Sequence, residues 1–254
     1  MAEVSRESTL KRPDGLLERI GAWWMEHLEA LIARNSLVGD EPVFENERFP
    51  WVAEVESEWT LIRDELDAVL RRHAELPNFQ DVVSDVEAIT QDDNWKTFFL
   101  YAFGIPSRRN CDMCPETARI LRRIPGLKTA FFSILSPGKR IPVHRGPYNG
   151  VLRLHLGLKV PQDRESCWIR VGDRICLWGE GQGLVFDDSF NHEVHNDTDE
   201  YRTVLFVDFV RPTRQPVDLL NRFLLKVTTL IPAIRHGLKQ HERWERRFHA
   251  GGTG

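Results

Sequence analysis

Basic side chains at alternate positions of one predicted strand are the feature of this sequence that points most directly to chemistry. In the stretch HRGPYNGVLRLHLGLKVP, His144 lies in a loop rich in Gly and Pro, and the strand that follows alternates leucines with Arg153, His155 and Gly157. Because successive side chains of a strand point to opposite faces, the leucines share one face and the basic residues share the other. A guanidinium and an imidazole on an interior face are costly unless an anion or a metal lies against them. The alternation therefore predicts a site for an anion, a metal, or both.

A second histidine, His192, lies between two later predicted strands in the stretch FDDSFNHEVHN. Residues remote in sequence converge at the mouth of a closed β-sandwich, so His144 and His192 can share a metal. Two neutral imidazoles suit Fe(II), and non-haem iron oxygenases normally add one carboxylate. That carboxylate usually comes two residues after the first histidine, where this chain has Gly146. His195, three residues after His192, remains an alternative ligand.

The elements that must position these residues fall into three parts. Residues 1–125 are predicted to be a mostly helical support region, with amphipathic segments at 14–35, 50–72 and 115–124. From about residue 127 the apolar period changes to two. Short segments rich in β-branched and aromatic residues then follow one another, separated by Gly, Pro, Asp and Asn: 128–135, 151–158, 167–172, 174–178, 183–187 and 201–210.

Six such strands without helices between them predict an all-β sandwich or barrel such as a jelly roll over residues 126–213. Residues 214–254 return to a helix and tail, with an interruption near Pro232. The predicted fold class is therefore mainly β with flanking helices, and the three parts are expected to form one compact unit.

Composition restricts the partners and the compartment. A formal net charge of −4 and a pI of about 6.2 give no bulk attraction for nucleic acid, so none is expected as a partner. The first residues lack the apolar core of a secretory signal and no apolar run is long enough to span a membrane, which predicts a cytoplasmic location. Cys111 and Cys114 have zinc-knuckle spacing, but without a second matching pair they are interpreted as reduced structural thiols.

Four ordered motifs between Phe131 and Pro212 resemble the aspartyl/asparaginyl β-hydroxylase family of Fe(II)- and 2-oxoglutarate-dependent dioxygenases. These motifs are the His-x-Gly-Pro loop at 144–147, the Arg-x-His-x-Gly-Leu strand at 153–158, the Phe-Asp-Asp-Ser-Phe-x-His-Glu-Val stretch at 186–194, and the strand that contains Arg202. The resemblance implies a double-stranded β-helix, a cupin-like form of jelly roll. It also accounts for Gly146, because this family lacks the iron-binding carboxylate.

The resemblance implies a role for each matching residue. His144 and His192 would be the iron ligands. Ser133 and Arg202 would hold the distal carboxylate of 2-oxoglutarate, and a guanidinium suits that task because its fork meets both carboxylate oxygens. His155, with Arg153 beside it, would contact the carboxylate nearer the metal. Asp188 would hold a water in the coordination position that Gly146 leaves empty.

Structural alternatives for the charged residues stay open. Arg153 and Arg202 could instead form salt bridges within the protein, for example to Asp187 or Asp208. Asp187 itself is interpreted as an ordinary turn carboxylate.

The substrate is less well defined than the cofactors. Relatives that hydroxylate Asp or Asn use additional basic residues beside the pocket, whereas this chain has Phe131 and Val151 at what are judged the corresponding positions. An apolar rim disfavours a free acidic substrate and favours a lipid acyl chain or a small amino-acid or peptide-like molecule, with O₂ as cosubstrate. The C-terminal helix, apolar first and basic afterwards, either packs on the sandwich or contacts the inner face of a membrane peripherally.

The resemblance implies oxidative decarboxylation of 2-oxoglutarate to succinate and CO₂, coupled to hydroxylation of an unactivated C–H bond. Three alternatives remain: β-hydroxylation of Asp or Asn in a peptide, halogenation, because a missing carboxylate leaves room for chloride, and a catalytically inactive jelly-roll binding module.

Overall fold

The computed structural model describes residues 15–83 and 89–250. The predicted absence of a secretory signal depends in part on residues 1–14, which lie outside the described residues. The helices are α1 (Leu16–Asn35), α2 (Trp51–Ser57), α3 (Trp59–Leu70), α4 (Phe79–Val82), α5 (Arg108–Met113), α6 (Pro115–Leu121), α7 (Val217–Val227) and α8 (Pro232–Ala250). The strands are β1 (Val43–Phe44), β2 (Trp95–Ala102), β3 (Ile105–Pro106), β4 (Leu127–Leu135), β5 (Arg140–His144), β6 (Val151–Lys159), β7 (Cys167–Val171), β8 (Arg174–Leu177), β9 (Gly183–Phe186), β10 (His192–Asn196) and β11 (Arg202–Val210).

Two antiparallel sheets form the centre of the molecule. The larger has the order β1-β9-β6-β11-β4-β2-β3, and the smaller has the order β5-β10-β7-β8. One face of the larger sheet packs on helices α2, α3, α6 and α8, and its other face packs on the smaller sheet. This arrangement is a double-stranded β-helix with flanking helices, so the predicted fold class is confirmed.

Strand β6 shows how the sequence alternation builds the two faces. Its four leucines are fully buried against the helical layer: Leu152, Leu154, Leu156 and Leu158. Arg153, His155 and Gly157 therefore point into the space between the sheets. A Cβ at Gly157 would lie 2.1 Å from the carbonyl oxygen of Gly179, so only glycine allows this close backbone approach.

Five strands of the fold were not predicted from the sequence, and two of them, β1 and β3, have only two residues each. Residues 95–102, in the part expected to be helical support, form β2, which pairs with β4 in the larger sheet. β5 and β10 pair with each other in the smaller sheet. The predicted helix at 50–72 is divided into α2 and α3 at Glu58.

Other expectations are met in the described residues. The C-terminal helix is interrupted before Pro232, where α8 begins. All four cysteines are free, and burial raises the pKa of Cys111 to about 11, as expected for unreactive thiols. None of the described helices combines the length and apolar character that crossing a bilayer requires.

Candidate active site

The imidazoles of His144 and His192 face each other across the β5–β10 pair. The two residues are direct cross-strand partners, and their ring centroids lie 4.1 Å apart. His144 Nδ1 lies 2.8 Å from the Pro142 carbonyl oxygen, and His192 Nδ1 lies 3.0 Å from that of Phe190. A carbonyl can only accept, so each Nδ1 carries the proton and each Nε2 keeps a free lone pair. This tautomer is the one that binds a metal through Nε2.

Burial keeps both rings neutral. Desolvation lowers the pKa of His144, although its contact with the Pro142 carbonyl opposes the shift. Desolvation also lowers the pKa of His192 well below its usual value, and His144 and Arg153 lower it further. Neutral imidazoles are the form that ligates a divalent metal. The two predicted metal ligands therefore meet in the protonation state that ligation requires.

His195, the alternative ligand, lies on the other face of β10. Its ring stacks on Trp168 with centroids 4.1 Å apart, and its Nε2 lies 3.3 Å from Glu193 Oε2. The odd spacing from His192 along a strand places the two imidazoles on opposite sides. The geometry favours His192.

A buried cation, Arg202, lies between the sheets at the start of β11. Arg202 is 1% exposed, and among the described residues neither its Nε nor its Nη1 has a hydrogen-bond partner. Its guanidinium carbon lies 4.6 Å from the ring centroid of Trp178. Burial lowers the pKa of Arg202 to about 10, which leaves the group charged at neutral pH. An unpaired buried guanidinium is costly unless an anion completes it.

His155 and Ser133 lie in the same interior. Both ring nitrogens of His155 are buried without a partner among the described residues, and desolvation holds its pKa well below the usual value. Ser133 Oγ lies 3.0 Å from Trp95 Nε1, from which it accepts, so its own hydroxyl proton is free to donate. Ser133 lies opposite Val204, two residues along β11 from Arg202. Three donors from three strands thus border one interior space.

Asp188 occupies the space beside Gly146. A Cβ at Gly146 would lie 2.2 Å from Asp188 Oδ2, so the carboxylate stands where a side chain at position 146 would begin. The Gly146 N–H donates to the Asp188 carbonyl oxygen at 2.7 Å. Burial raises the pKa of Asp188, against the opposing charge of Arg153. Its Oδ1 is buried and lacks a partner within the described chain.

Arg153 pairs with carboxylates of the protein. Its Nε lies 2.8 Å from Asp208 Oδ1, and its Nη2 lies 2.8 Å from Asp188 Oδ2. Burial disfavours its charge, but the two carboxylates outweigh that effect and raise its pKa. The salt-bridged alternative therefore describes the contacts of Arg153, whereas Arg202 has no such partner among the residues described.

Asp187 has a structural position, as interpreted from the sequence. Its Oδ1 accepts from the Ser189 N–H at 2.9 Å, which is the hydrogen bond of an Asx turn. Its Oδ2 lies 3.1 Å from Arg211 Nη1, and both side chains are fully buried.

Aromatic residues complete the interior, and most were not singled out from the sequence. Phe131 stacks on Phe206 with centroids 4.2 Å apart, and Phe206 lies 5.1 Å from His155. Trp95 was missed because it belongs to an unpredicted strand, and Trp178, although it lies in the predicted segment 174–178, has neither a charge nor a metal-ligating group. Phe131 had been identified as an apolar substitute for a basic residue, and it is 1% exposed.

Comparison with known proteins places this chain in a family. The profile of the family described as aspartyl/asparaginyl beta-hydroxylase matches residues 56–212, which is more than half of the sequence. The fold and the match define a member of a hydroxylase family. The chain belongs to the aspartyl/asparaginyl beta-hydroxylase family.

The relatives differ in how much of their length the chain spans. The ornithine lipid ester-linked acyl 2-hydroxylase of Rhizobium tropici is 46% identical over 250 residues, covering 98% of this chain and 86% of that protein. The aspartyl/asparaginyl beta-hydroxylase of Homo sapiens is 35% identical over 170 residues, covering 65% of this chain and only 22% of that protein. A solved prolyl-4-hydroxylase from Pseudomonas putida is 17% identical and covers 63% of this chain and 99% of its own, with a TM-score of 0.39.

Proposed function

We propose that this protein is a cytoplasmic Fe(II)- and 2-oxoglutarate-dependent dioxygenase that hydroxylates an unactivated C–H bond of a lipid acyl chain. The observation that carries the proposal is the position of Arg202. A buried guanidinium, two of whose nitrogens have no partner among the described residues, lies in the same interior as a pair of neutral imidazoles. A keto-diacid cosubstrate requires a metal at its keto-acid end and a cation at its distal carboxylate. The two imidazoles and Arg202 would supply these two features.

The residues present fit the two cofactors. His144 and His192 would hold Fe(II) through their Nε2 atoms, since their Nδ1 atoms are engaged by backbone carbonyls. Arg202 and Ser133 would hold the distal carboxylate of 2-oxoglutarate, and neutral His155 would donate to the carboxylate nearer the metal. When bound with O₂, these cofactors supply the oxidation that hydroxylates a C–H bond and leaves succinate and CO₂.

Asp188 would accept a hydrogen bond from a water held in the place that a side chain at position 146 would otherwise occupy. Its unpartnered Oδ1 supports this role. Arg153 would act through Asp188, because its fork is anchored on Asp208 and its Nη2 reaches Asp188. A carboxylate in this space also disfavours halogenation, since chloride would have to lie beside a buried acid.

Two observations support a lipid acyl chain as the substrate. The relative that matches nearly the whole chain is an acyl 2-hydroxylase of ornithine lipid. The interior beside the site is lined by Phe131 and Phe206, which suits a hydrocarbon and would leave a substrate carboxylate without a partner.

The test is an assay of the purified full chain with Fe(II), 2-oxoglutarate and O₂, supplied in parallel with ornithine lipid and with an Asp-containing peptide. We expect the lipid to gain the mass of one oxygen atom in step with succinate release. His192→Ala should abolish the product, whereas His195→Ala should retain it. Hydroxylation of the peptide alone would overturn the substrate assignment. A chlorinated product would overturn the reaction type, and a metal-loaded protein that never consumes 2-oxoglutarate would indicate a binding module.

A further inference from the structure

Two neighbouring helices, α1 and α7, expose apolar side chains. Helix α1 packs against α7. The exposed apolar side chains of the pair and of residues 228–231, which follow α7, are Ile20, Trp23, Trp24, Met25, Leu31, Leu219, Leu220, Phe223, Val227, Leu230 and Ile231. Trp24 is 64% exposed, Leu219 is 67% exposed and Phe223 is 61% exposed. We call this set the α1/α7 face. An apolar surface of this extent, rich in Trp and Leu, marks an interaction site.

The α1/α7 face shares the apolar residues of α7 with the membrane contact considered from the sequence alone, but it adds α1 and leaves out the basic end of α8. There the candidate was the whole C-terminal helix with its basic end. In the structure, α8 turns Phe248, His241 and Glu245 inward, and Phe248 belongs to the core formed with the larger sheet. The apolar residues of α7 remain exposed instead, as do those of the adjacent α1.

Buried polar contacts tie both helices to the loop that follows His144. Arg145 pairs with Glu29 of α1 at 2.7 Å, and the Asn149 side chain donates to the Glu29 carbonyl oxygen at 2.9 Å. Asn221 of α7 donates to the Gly150 carbonyl oxygen at 2.8 Å and accepts from the Tyr148 hydroxyl at 3.0 Å. The helix pair is therefore anchored to the segment that begins at a proposed metal ligand.

Charge at the border of the face favours an anionic partner. Arg19 and Arg34 are exposed on α1, and Lys226 is exposed on α7 one turn from Phe223 and Arg222. Among the side chains that the structure describes on these two helices, Glu26 is the exposed acidic residue, and Asp218 is engaged by Arg222 at 2.8 Å. The whole chain carries a net charge of −4, so this basic border is a local feature.

We infer that the α1/α7 face docks on an anionic phospholipid bilayer. Trp and Phe side chains would enter the interfacial layer while the flanking Arg and Lys side chains meet the headgroups. The biological role of this docking rests on the proposed function. Docking on this face would hold the loop from Arg145 to Gly150 near the lipid whose acyl chain is hydroxylated. The docking itself can be measured without turnover.

The test is co-sedimentation of the full-length protein with vesicles of phosphatidylcholine containing phosphatidylglycerol, and with vesicles of phosphatidylcholine alone. We expect the Trp24→Glu/Phe223→Glu double variant to bind vesicles at least roughly tenfold more weakly than the wild type does. Ile175→Glu is the matched control, because Ile175 is 64% exposed on β8 of the smaller sheet, outside the face. Binding should be stronger with phosphatidylglycerol and should weaken as salt increases.

Equal binding by all three proteins, or binding by none, would overturn the inference. So would a wild-type dimer in sedimentation equilibrium that the double substitution converts to monomer, since a second copy would then cover the face. Hydroxylation of detergent-dispersed ornithine lipid separates the two proposals. The double variant should keep this activity if only docking is lost, whereas a wild type that binds vesicles but never hydroxylates lipid would refute the function and leave the docking surface standing.

Discussion

Arg202 lies against the indole of Trp178 with its guanidinium carbon 4.6 Å from the ring centroid, and within the described chain two of its nitrogens have no partner. The aromatic face offsets part of the cost of burying the charge, but it does not satisfy the N–H donors. A ligand at this site must therefore be an anion that accepts from these N–H groups. Arg202 is expected to lower the stability of the cofactor-free protein and to favour binding of the cosubstrate.

Arg202→Met is therefore expected to abolish 2-oxoglutarate binding while stabilising the cofactor-free protein by roughly 1–4 kcal/mol, because it replaces an unpaired buried charge with an apolar group. Denaturant unfolding, with and without 2-oxoglutarate, measures both effects. Arg140→Met is the matched control, since Arg140 is exposed and paired with Asp197. A destabilised Arg202→Met protein that still binds 2-oxoglutarate would show that the guanidinium has a structural role instead.

Gly146→Ala should destabilise the protein by about 1–3 kcal/mol, because its Cβ would meet the Asp188 carboxylate. Asp188→Ala removes the obstructing carboxyl group, so the double variant should be more stable than the sum of the two single changes predicts. Thermal unfolding of the four proteins closes the cycle. Gly21→Ala serves as the control, since no atom lies within 4 Å of its added Cβ. Strict additivity would mean that Asp188 does not occupy the space beside Gly146.

His241 should make the unfolding free energy depend on pH. Its ring is buried beside Phe99 and Trp244, with Nε2 3.1 Å from Ser107 Oγ and the Glu245 carboxylate nearby. Desolvation lowers its pKa, and the opposing charge of Glu245 does not cancel the shift. The unfolded chain therefore binds the proton more readily, so this contribution is present above about pH 6.5 and is lost as the pH falls below it.

His241→Gln should accordingly flatten the fall in stability between neutral and mildly acidic pH relative to the wild type. Denaturant titrations at several pH values measure the unfolding free energy of each protein. His236→Gln, a substitution at an exposed histidine, is the control. Parallel pH profiles for His241→Gln and the wild type would mean that the buried ring does not titrate differently in the two states.

Much of the site could be predicted because alternation along a strand is a local property. The leucines of β6 identified one face, so Arg153 and His155 had to share the other, and the structure places them there. Phe131 was likewise recognised as apolar beside the site. What local patterns cannot give is the partner that each charged group chooses.

Arg153 and Arg202 illustrate this limit. Both are basic residues at inward positions of neighbouring strands. One faces Asp208 directly across the β6–β11 pair, whereas the other lies across from Leu135 of β4. Strand register decides which guanidinium is neutralised by the protein, and register depends on pairings that the sequence does not display.

The missed strands have equally physical reasons. β2 is buried on both faces, because Phe98 packs on Phe248 of α8 on one side and Trp95 stacks on Phe79 of α4 on the other, so its sequence does not alternate. β5 contains Pro142 and lies at the edge of its sheet, where proline is tolerated but weakens the strand signal. β10 is short and polar, with His192, Glu193 and His195 among its five residues.

The central claim is that His144 and His192 bind one iron beside a 2-oxoglutarate held by Arg202. Anaerobic titration of the full chain with Fe(II) and 2-oxoglutarate, followed by the charge-transfer absorbance of the complex, tests it most directly. We predict one Fe(II) per chain, with the absorbance lost in His144→Ala and in His192→Ala and retained in His195→Ala. An absorbance that survives either of the first two substitutions, or disappears with the third, would contradict the account.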